Sequence, residues 1–261
     1  MIIKNKTSIV KPRNSKIIVS LTTWKPRINY TCQVIKSILE QAVKPDLFYF
    51  VLSKKDFPKM EEELPEYVLD IKNRFNFFKI IWMDSNIKWF KNIIPVMQLH
   101  WNEDCIYYFI EDDVYYEPNY ISTTLSYFLN ANKTEKSVIT YNFPFSTITR
   151  WDLNEENRMV IGPYMIIKSD FIDKTILHIT EDDIESCEVH FSADEFMTYL
   201  LHKHNIRFKM LDINILNSLT HETEANIVEP LSAVYVNQSH EIKRIQRENI
   251  YNKYKNCLYD N

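Results

Sequence analysis

The chain has 261 residues and a mass of 31.4 kDa, enough for one sizeable α/β domain, and its 45% hydrophobic and 14% aromatic residues can supply a core. A formal net charge of −4 and a pI near 6.0 exclude the bulk electrostatic field expected of an extended nucleic-acid binder. Gly162 is the only glycine, which excludes the glycine-rich turns of P-loop and dinucleotide-binding proteins, so any phosphate must be held by side chains and a metal.

In chain order, Lys16 to Thr22 predicts a buried strand, and Thr31 to Ala42 a helix with Val34, Ile35, Ile38 and Leu39 on one face. Leu47 to Leu52 and Phe78 to Met83 predict two further strands, separated by a polar segment and a short helix near Tyr67 to Arg74. Lys91 to Trp101 is helical, beginning a residue or so before Pro95. The apolar run Cys105 to Ile110 is the next strand, and it leads directly into Glu111, Asp112 and Asp113. This alternation points to parallel pairing in a doubly wound sheet, whose ligands sit beyond the carboxyl ends of the strands.

The second half is less regular. Helices are expected over Asn119 to Asn130, Asp194 to His204 and Glu241 to Tyr254, and strands over Ser137 to Tyr141, Ile161 to Lys168 and Ile206 to Leu211. With no repeat or linker, residues 1–261 read as a single domain, with one half over about 16–116 and a second half, ending in the C-terminal helix, over about 117–261. Cys32, Cys105, Cys187 and Cys257 lie far apart, without the CxxC or His-x-x-His spacing of a zinc site, and read as reduced thiols of a cytoplasmic protein. No signal peptide is expected, and no run approaches the roughly 18 apolar residues of a membrane span.

Three acidic triplets stand in the chain. Glu61 to Glu63 reads as a solvated surface, and Glu181 to Asp183 as the first turn of a helix capped by Thr180. The triplet at Glu111 follows an apolar strand and precedes Val114, Tyr115 and Tyr116, so neither explanation serves. On an extended chain Glu111 and Asp113 would face one side and Asp112 the other, leaving two carboxylates to hold a hard divalent cation, Mn2+ or Mg2+. The alternative is buried acids paired with Lys or Arg.

Several blocks in order resemble the nucleotide-sugar-dependent glycosyltransferases of the GT-A fold, in particular bacterial enzymes that build surface polysaccharides. They are Val19 to Ile28, Ser37 to Gln41 with Lys44-Pro-Asp46, Lys88 to Pro95, the Glu111 triplet, and Ser192 to Phe196. The resemblance implies an α/β fold of GT-A type, a Rossmann-like, mostly parallel central sheet with helices on both faces. It further implies a metal-dependent, inverting transfer from a nucleotide-diphosphate sugar to a saccharide or lipid-linked acceptor in cell-surface polysaccharide synthesis.

The family pattern is Asp-x-Asp, and Glu111 here keeps the charge of its first position with a longer reach. Asp113 is then the firmer metal ligand, with Glu111 touching the metal or the ribose. The same resemblance puts Thr22 and Arg27 beside the nucleotide, Asp84 near the base and Lys91 near the diphosphate, and groups Asp112 with them. Asp194, followed by Glu195, is the base that takes the acceptor proton. His221 or His240 would supply a late metal ligand, and Gly162 a close backbone approach to a sugar. The stretch from His240 to Arg247 would touch anionic lipid headgroups at the inner face of the membrane, or else form a solvated helix face.

Two other classes remain: a nucleotidyltransferase acting on a sugar phosphate, which shares the diphosphate chemistry, and a non-catalytic carbohydrate- or nucleotide-binding module.

Overall fold

β1 (Lys16–Thr22) buries Ile17, Ile18, Val19 and Leu21 completely, with Ser20 buried among them. Burial on both faces is what a central parallel strand requires. β1 pairs in parallel with β2 (Leu47–Ser53) on one side and β4 (Cys105–Ile110) on the other, and β2 pairs in parallel with β3 (Phe78–Met83). The computed structural model describes residues 15–140, 165–172, 174–186 and 204–223, together with positions 197, 200, 201 and 225.

With β6 (Ser137–Thr140), β7 (Met165–Ile167) and β8 (Arg207–Met210), these strands form one seven-stranded sheet ordered β3-β2-β1-β4-β7-β6-β8. β7 runs antiparallel to both of its neighbours, and the other six strands share one direction. The expected α/β fold with a mostly parallel sheet is therefore present.

α1 (Ile28–Leu39) buries Ile28, Thr31, Val34, Ile35 and Ile38, a single stripe at helical spacing. It begins three residues earlier than its apolar pattern predicts, because a 3-10 turn over Lys25–Arg27, with its φ set by Pro26, starts the winding. α2 (Glu66–Arg74) matches expectation closely. The predicted helix near Pro95 divides into a 3-10 turn, Lys88–Asn92, and α3 (Ile94–His100), with Pro95 in its first turn. With no glycine among the described residues, the backbone enters the left-handed region at Met60, Lys88 and Asn205.

α4 (Tyr120–Ala131) is tied to α1 and to the short strand β5 (Val114–Tyr116) by Gln41. The Gln41 side-chain amide donates to the carbonyls of Tyr116 at 3.1 Å and Glu117 at 2.7 Å, while its oxygen accepts from the Ile121 amide at 2.9 Å. α5 (Glu181–Ser186) has the expected cap: Thr180 donates to Asp183 at 2.9 Å, and the Asp183 amide returns a bond to Thr180 at 3.2 Å. α6 (Ile213–Leu219) leads into β9 (Thr220–Glu222), which pairs antiparallel with β5 in a small ribbon. Among the described residues no helix is long and apolar enough to cross a membrane.

Candidate active site

Parallel β1, β2, β3 and β4 end at one edge of the sheet, and their loops bring together residues from 23–27, 54–59, 84–92 and 111–113. The strand order reverses between β1 and β4, which opens a crevice at their carboxyl ends. Arg27 follows β1 and the acidic triplet follows β4, so the two meet across that crevice.

β4 stops at Ile110, and Asp112 and Asp113 form a turn rather than an extended continuation. The expected alternation, with Asp112 facing away from its neighbours, is therefore corrected. Arg27 Nη1 donates to Asp112 Oδ1 at 2.9 Å and to Asp113 Oδ2 at 3.0 Å, drawing both carboxylates to one side. An opposing cation at the turn is worth more than the pleat, because two adjacent acids, one buried and one half-buried, repel. The Thr23 hydroxyl takes the other Asp112 oxygen, and Thr31 donates to Thr23 at 2.9 Å.

Arg27 is 7% exposed and Asp112 8%. Burial opposes the charge on Arg27, but Asp112 and Asp113 outweigh it and hold the guanidinium above its ordinary value. Burial likewise pushes the Asp112 carboxyl up, Arg27 pulls against it, and the charge of Asp113 adds to the rise.

Glu111 Oε1 accepts from Trp89 Nε1 at 3.0 Å, and its backbone amide donates to the buried Tyr116 hydroxyl at 3.0 Å. Beneath the turn, Asn92 Nδ2 holds the Ile110 carbonyl at 3.0 Å while its own carbonyl accepts from Ser20 Oγ at 2.6 Å. Asn92 Oδ1 is a buried acceptor with no donor among the described residues. From the far side, the Thr223 amide donates to the Asp113 carbonyl at 2.8 Å, so β9 braces the turn.

Oxygen donors of Glu111, Asp112 and Asp113 all lie within 4.8 Å of one another. Both Asp112 oxygens are engaged by Thr23 and Arg27, which makes Asp112 an anchor; Glu111 Oε1 is held by Trp89 and Asp113 Oδ2 by Arg27, and these two are the acids a cation would draw on. When ionised, three carboxylates against one guanidinium leave two formal negative charges, and the all-oxygen donor set suits Mg2+ or Mn2+. The residues fit such an ion.

The other expected residues are dispersed around this centre. Lys91 is 3% exposed, and its ammonium donates to Asp56 Oδ2 at 3.0 Å and Asn86 Oδ1 at 2.9 Å. Burial lowers its pKa below the usual lysine value, against the pull of Asp56. Thr22 Oγ1 donates to the Val51 carbonyl at 2.7 Å, a tie between strand ends. The Asp84 side chain is 89% exposed at the rim and pairs with Lys54 at 2.6 Å. His221, opposite Tyr115 in the ribbon, pairs with Glu117 at 2.8 Å and is not in the carboxylate group around Asp113. Asp194, Glu195, His240 and Gly162 lie outside the described residues, as does the basic segment after His240.

Sequence reasoning missed Thr23, Asp56, Asn86, Trp89 and Asn92. Thr23, Trp89 and Asn92 stand inside the blocks quoted above, and their polar side chains beside buried strand ends were the available signal. Asp56 and Asn86 sit in irregular loops with no periodicity to mark them.

No family model matches the chain, and no curated protein matches it. Among solved structures, the chain is similar to glucosyl-3-phosphoglycerate synthase from Mycobacterium tuberculosis, in complex with Mn2+, UDP-glucose and phosphoglyceric acid. The identity is 11%, over 93% of this chain and 80% of that one, with a TM-score of 0.51. TarS of S. aureus matches at 14% identity over 92% of this chain and 43% of its own, with a TM-score of 0.49. The 4-diphosphocytidyl-2C-methyl-D-erythritolsynthase from Anaerococcus prevotii matches at 7% identity over 76% and 87%, also with a TM-score of 0.49. At such identities the first of these likenesses speaks for the fold alone, and that fold is the GT-A arrangement.

Proposed function

We propose that this chain is a glycosyltransferase that moves a sugar from a nucleotide-diphosphate donor to a saccharide or lipid-linked acceptor, with inversion, in the synthesis of a cell-surface polysaccharide. The observation that carries this reading is the acidic turn Glu111–Asp113, set at the reversal of strand order in a GT-A fold. Ligands of open α/β sheets bind in that crevice.

Glu111 and Asp113 hold a divalent ion which, when bound, stabilises the charge that develops on the leaving diphosphate. Thr23 and Arg27 hold the Asp112 carboxyl and keep the turn in one conformation. Trp89 aims Glu111, and Lys91 acts through Asp56 and Asn86 to keep the neighbouring loops in register. Asp194 accepts the proton of the attacking acceptor hydroxyl, with Glu195 beside it. The peripheral membrane contact at His240 to Arg247 belongs to the same reading, since it would bring a lipid-linked acceptor to the site.

The bridge from Arg27 to Asp112 and Asp113 favours one competing reading, in which the acids only join two loops of a non-catalytic binding module. Screening a panel of nucleotide sugars for thermal stabilisation and slow donor hydrolysis, with and without Mn2+, tests the proposal. Metal-dependent stabilisation by one donor with release of its nucleotide supports it; stabilisation without turnover supports the binding module, and no response to any donor sinks the transferase reading.

A further inference from the structure

At the other end of β4, about 20 Å from the acidic turn by the rise of an extended strand, a second cluster of ligating side chains is built from one short segment. His100 ends α3, Glu103 lies in the following turn, and Cys105 opens β4. A donor atom from each lies within 4.8 Å of the other two. In a tetrahedral zinc site the ligating atoms stand roughly 3.3–3.8 Å apart, given bonds of about 2.0 Å to nitrogen and oxygen and 2.3 Å to sulfur. A small closing movement therefore suffices.

The surroundings aim these groups. The His100 Nε2 edge is 2.7 Å from the Tyr49 hydroxyl, which turns Nδ1 towards Glu103 Oε1 at 2.9 Å. The Tyr107 hydroxyl donates to the His100 carbonyl at 3.0 Å and fixes the backbone there. Lys16 Nζ holds the second Glu103 oxygen, so that only one is left towards the cluster. His100 and Cys105 are buried, while Glu103 is open to solvent and gives an ion a way in. Because all three donors come from six consecutive positions, chelation needs no long loop to close.

We propose that His100, Glu103 and Cys105 form a site for a thiophilic divalent cation, zinc, with water as the fourth ligand. Binding releases the Cys105 thiol proton to solvent. The imidazole proton resides on Nε2 and is donated to the Tyr49 oxygen, which frees the Nδ1 lone pair for the metal. A mixed nitrogen, oxygen and sulfur donor set selects zinc over the hard ions that suit the carboxylate turn. The ion fastens the α3–β4 turn to β1 through Lys16 and to β2 through Tyr49, a structural role independent of the donor site. Searching for paired cysteines or paired histidines overlooks it, since its third ligand is a glutamate.

Cobalt titration of the chelator-stripped full-length protein tests the site. One equivalent of Co2+ should produce a near-ultraviolet thiolate-to-cobalt charge-transfer band and the visible bands of a four-coordinate ion, both displaced by zinc. Cys105→Ser should remove the charge-transfer band. Glu103→Gln, at an exposed position that threatens folding least, should weaken cobalt binding about tenfold or more, as should Tyr49→Phe. Manganese binding at the acidic turn should be unchanged in all three. Absence of the charge-transfer band, or its survival in Cys105→Ser, would overturn the proposal and leave a Tyr49–His100–Glu103–Lys16 hydrogen-bonded chain.

Discussion

Arg27 and Asp112, 85 positions apart in sequence, meet at 2.9 Å in a setting almost closed to solvent. Their bond ties the loop after β1 to the loop after β4 at the point where the strand order reverses, and Asp113 shares the same guanidinium nitrogen. A single buried cation thus shapes the acidic turn.

Removing that cation should be costly. Arg27→Ala leaves the buried Asp112 carboxyl without its cation, held by Thr23 alone, and should destabilise the fold by about 3–5 kcal/mol. Adding Asp112→Ala to it should recover about 1 kcal/mol or more, because the buried carboxyl that lost its partner is then gone. Urea unfolding of both single variants and the double variant measures this coupling. Strict additivity would show that the pair contributes nothing specific.

Asp113 is the acid whose loss should separate chemistry from folding. Asp113→Ala should lower donor hydrolysis roughly 100-fold or more, the scale of removing one preorganised electrostatic group, and should shift the melting temperature little. Chelation of the wild type should have the same effect on rate, reversed by Mn2+. Unimpaired turnover in the variant would remove Asp113 from the metal site.

The buried ammonium of Lys91 makes a pH prediction. Burial places its folded pKa below the unfolded value of 10.5, so as pH rises through that window the native chain releases this proton first. The unfolded state then binds more protons, and the Lys91 contribution to unfolding free energy increases with pH. Lys91→Met removes this slope. Comparing the stability of the two proteins from pH 8 upwards checks it, and an unchanged slope in the variant would rule out Lys91 as its source.

Lys88, the first residue of the 3-10 turn that carries Trp89 and Lys91, has φ 52°. A side chain in this region costs about 1–2 kcal/mol, and glycine escapes the cost at some loss of entropy on folding, so Lys88→Gly should stabilise the protein by about 0.5–1 kcal/mol. Guanidinium unfolding would read the gain directly. A loss of stability would mean that the Lys88 side chain contributes more than its backbone costs.

Much of this protein could be read from its residues because buried strands leave a local trace. Ile17 to Leu21, broken only by Ser20, and Cys105 to Ile110 are apolar runs, which is the mark of strands covered on both faces, and each leads into polar residues at its carboxyl end. The lone glycine ruled out whole classes of phosphate site, and the acids after β4 marked the edge of the sheet where a ligand belongs. Thr180 and Asp183 formed the cap that their spacing implied, since such a cap depends only on neighbours. Other features had no local trace. β5 and β9 are three residues each, too short to show a period, and are strands only because they pair with each other.

The sequence alone determined the long parallel strands, the placement of the acids beyond one of them, and the impossibility of a glycine-built phosphate loop, because these follow from periodicity and composition within a few residues. Only the tertiary structure decided that β7 runs against its neighbours, that Lys91 turns inward to Asp56 and Asn86 while Asp84 stays at the rim, and that Arg27 draws Asp112 and Asp113 to one side. Those outcomes depend on which loops the folded sheet brings within the few ångströms over which buried charges and hydrogen bonds act, and that proximity is a property of the whole chain.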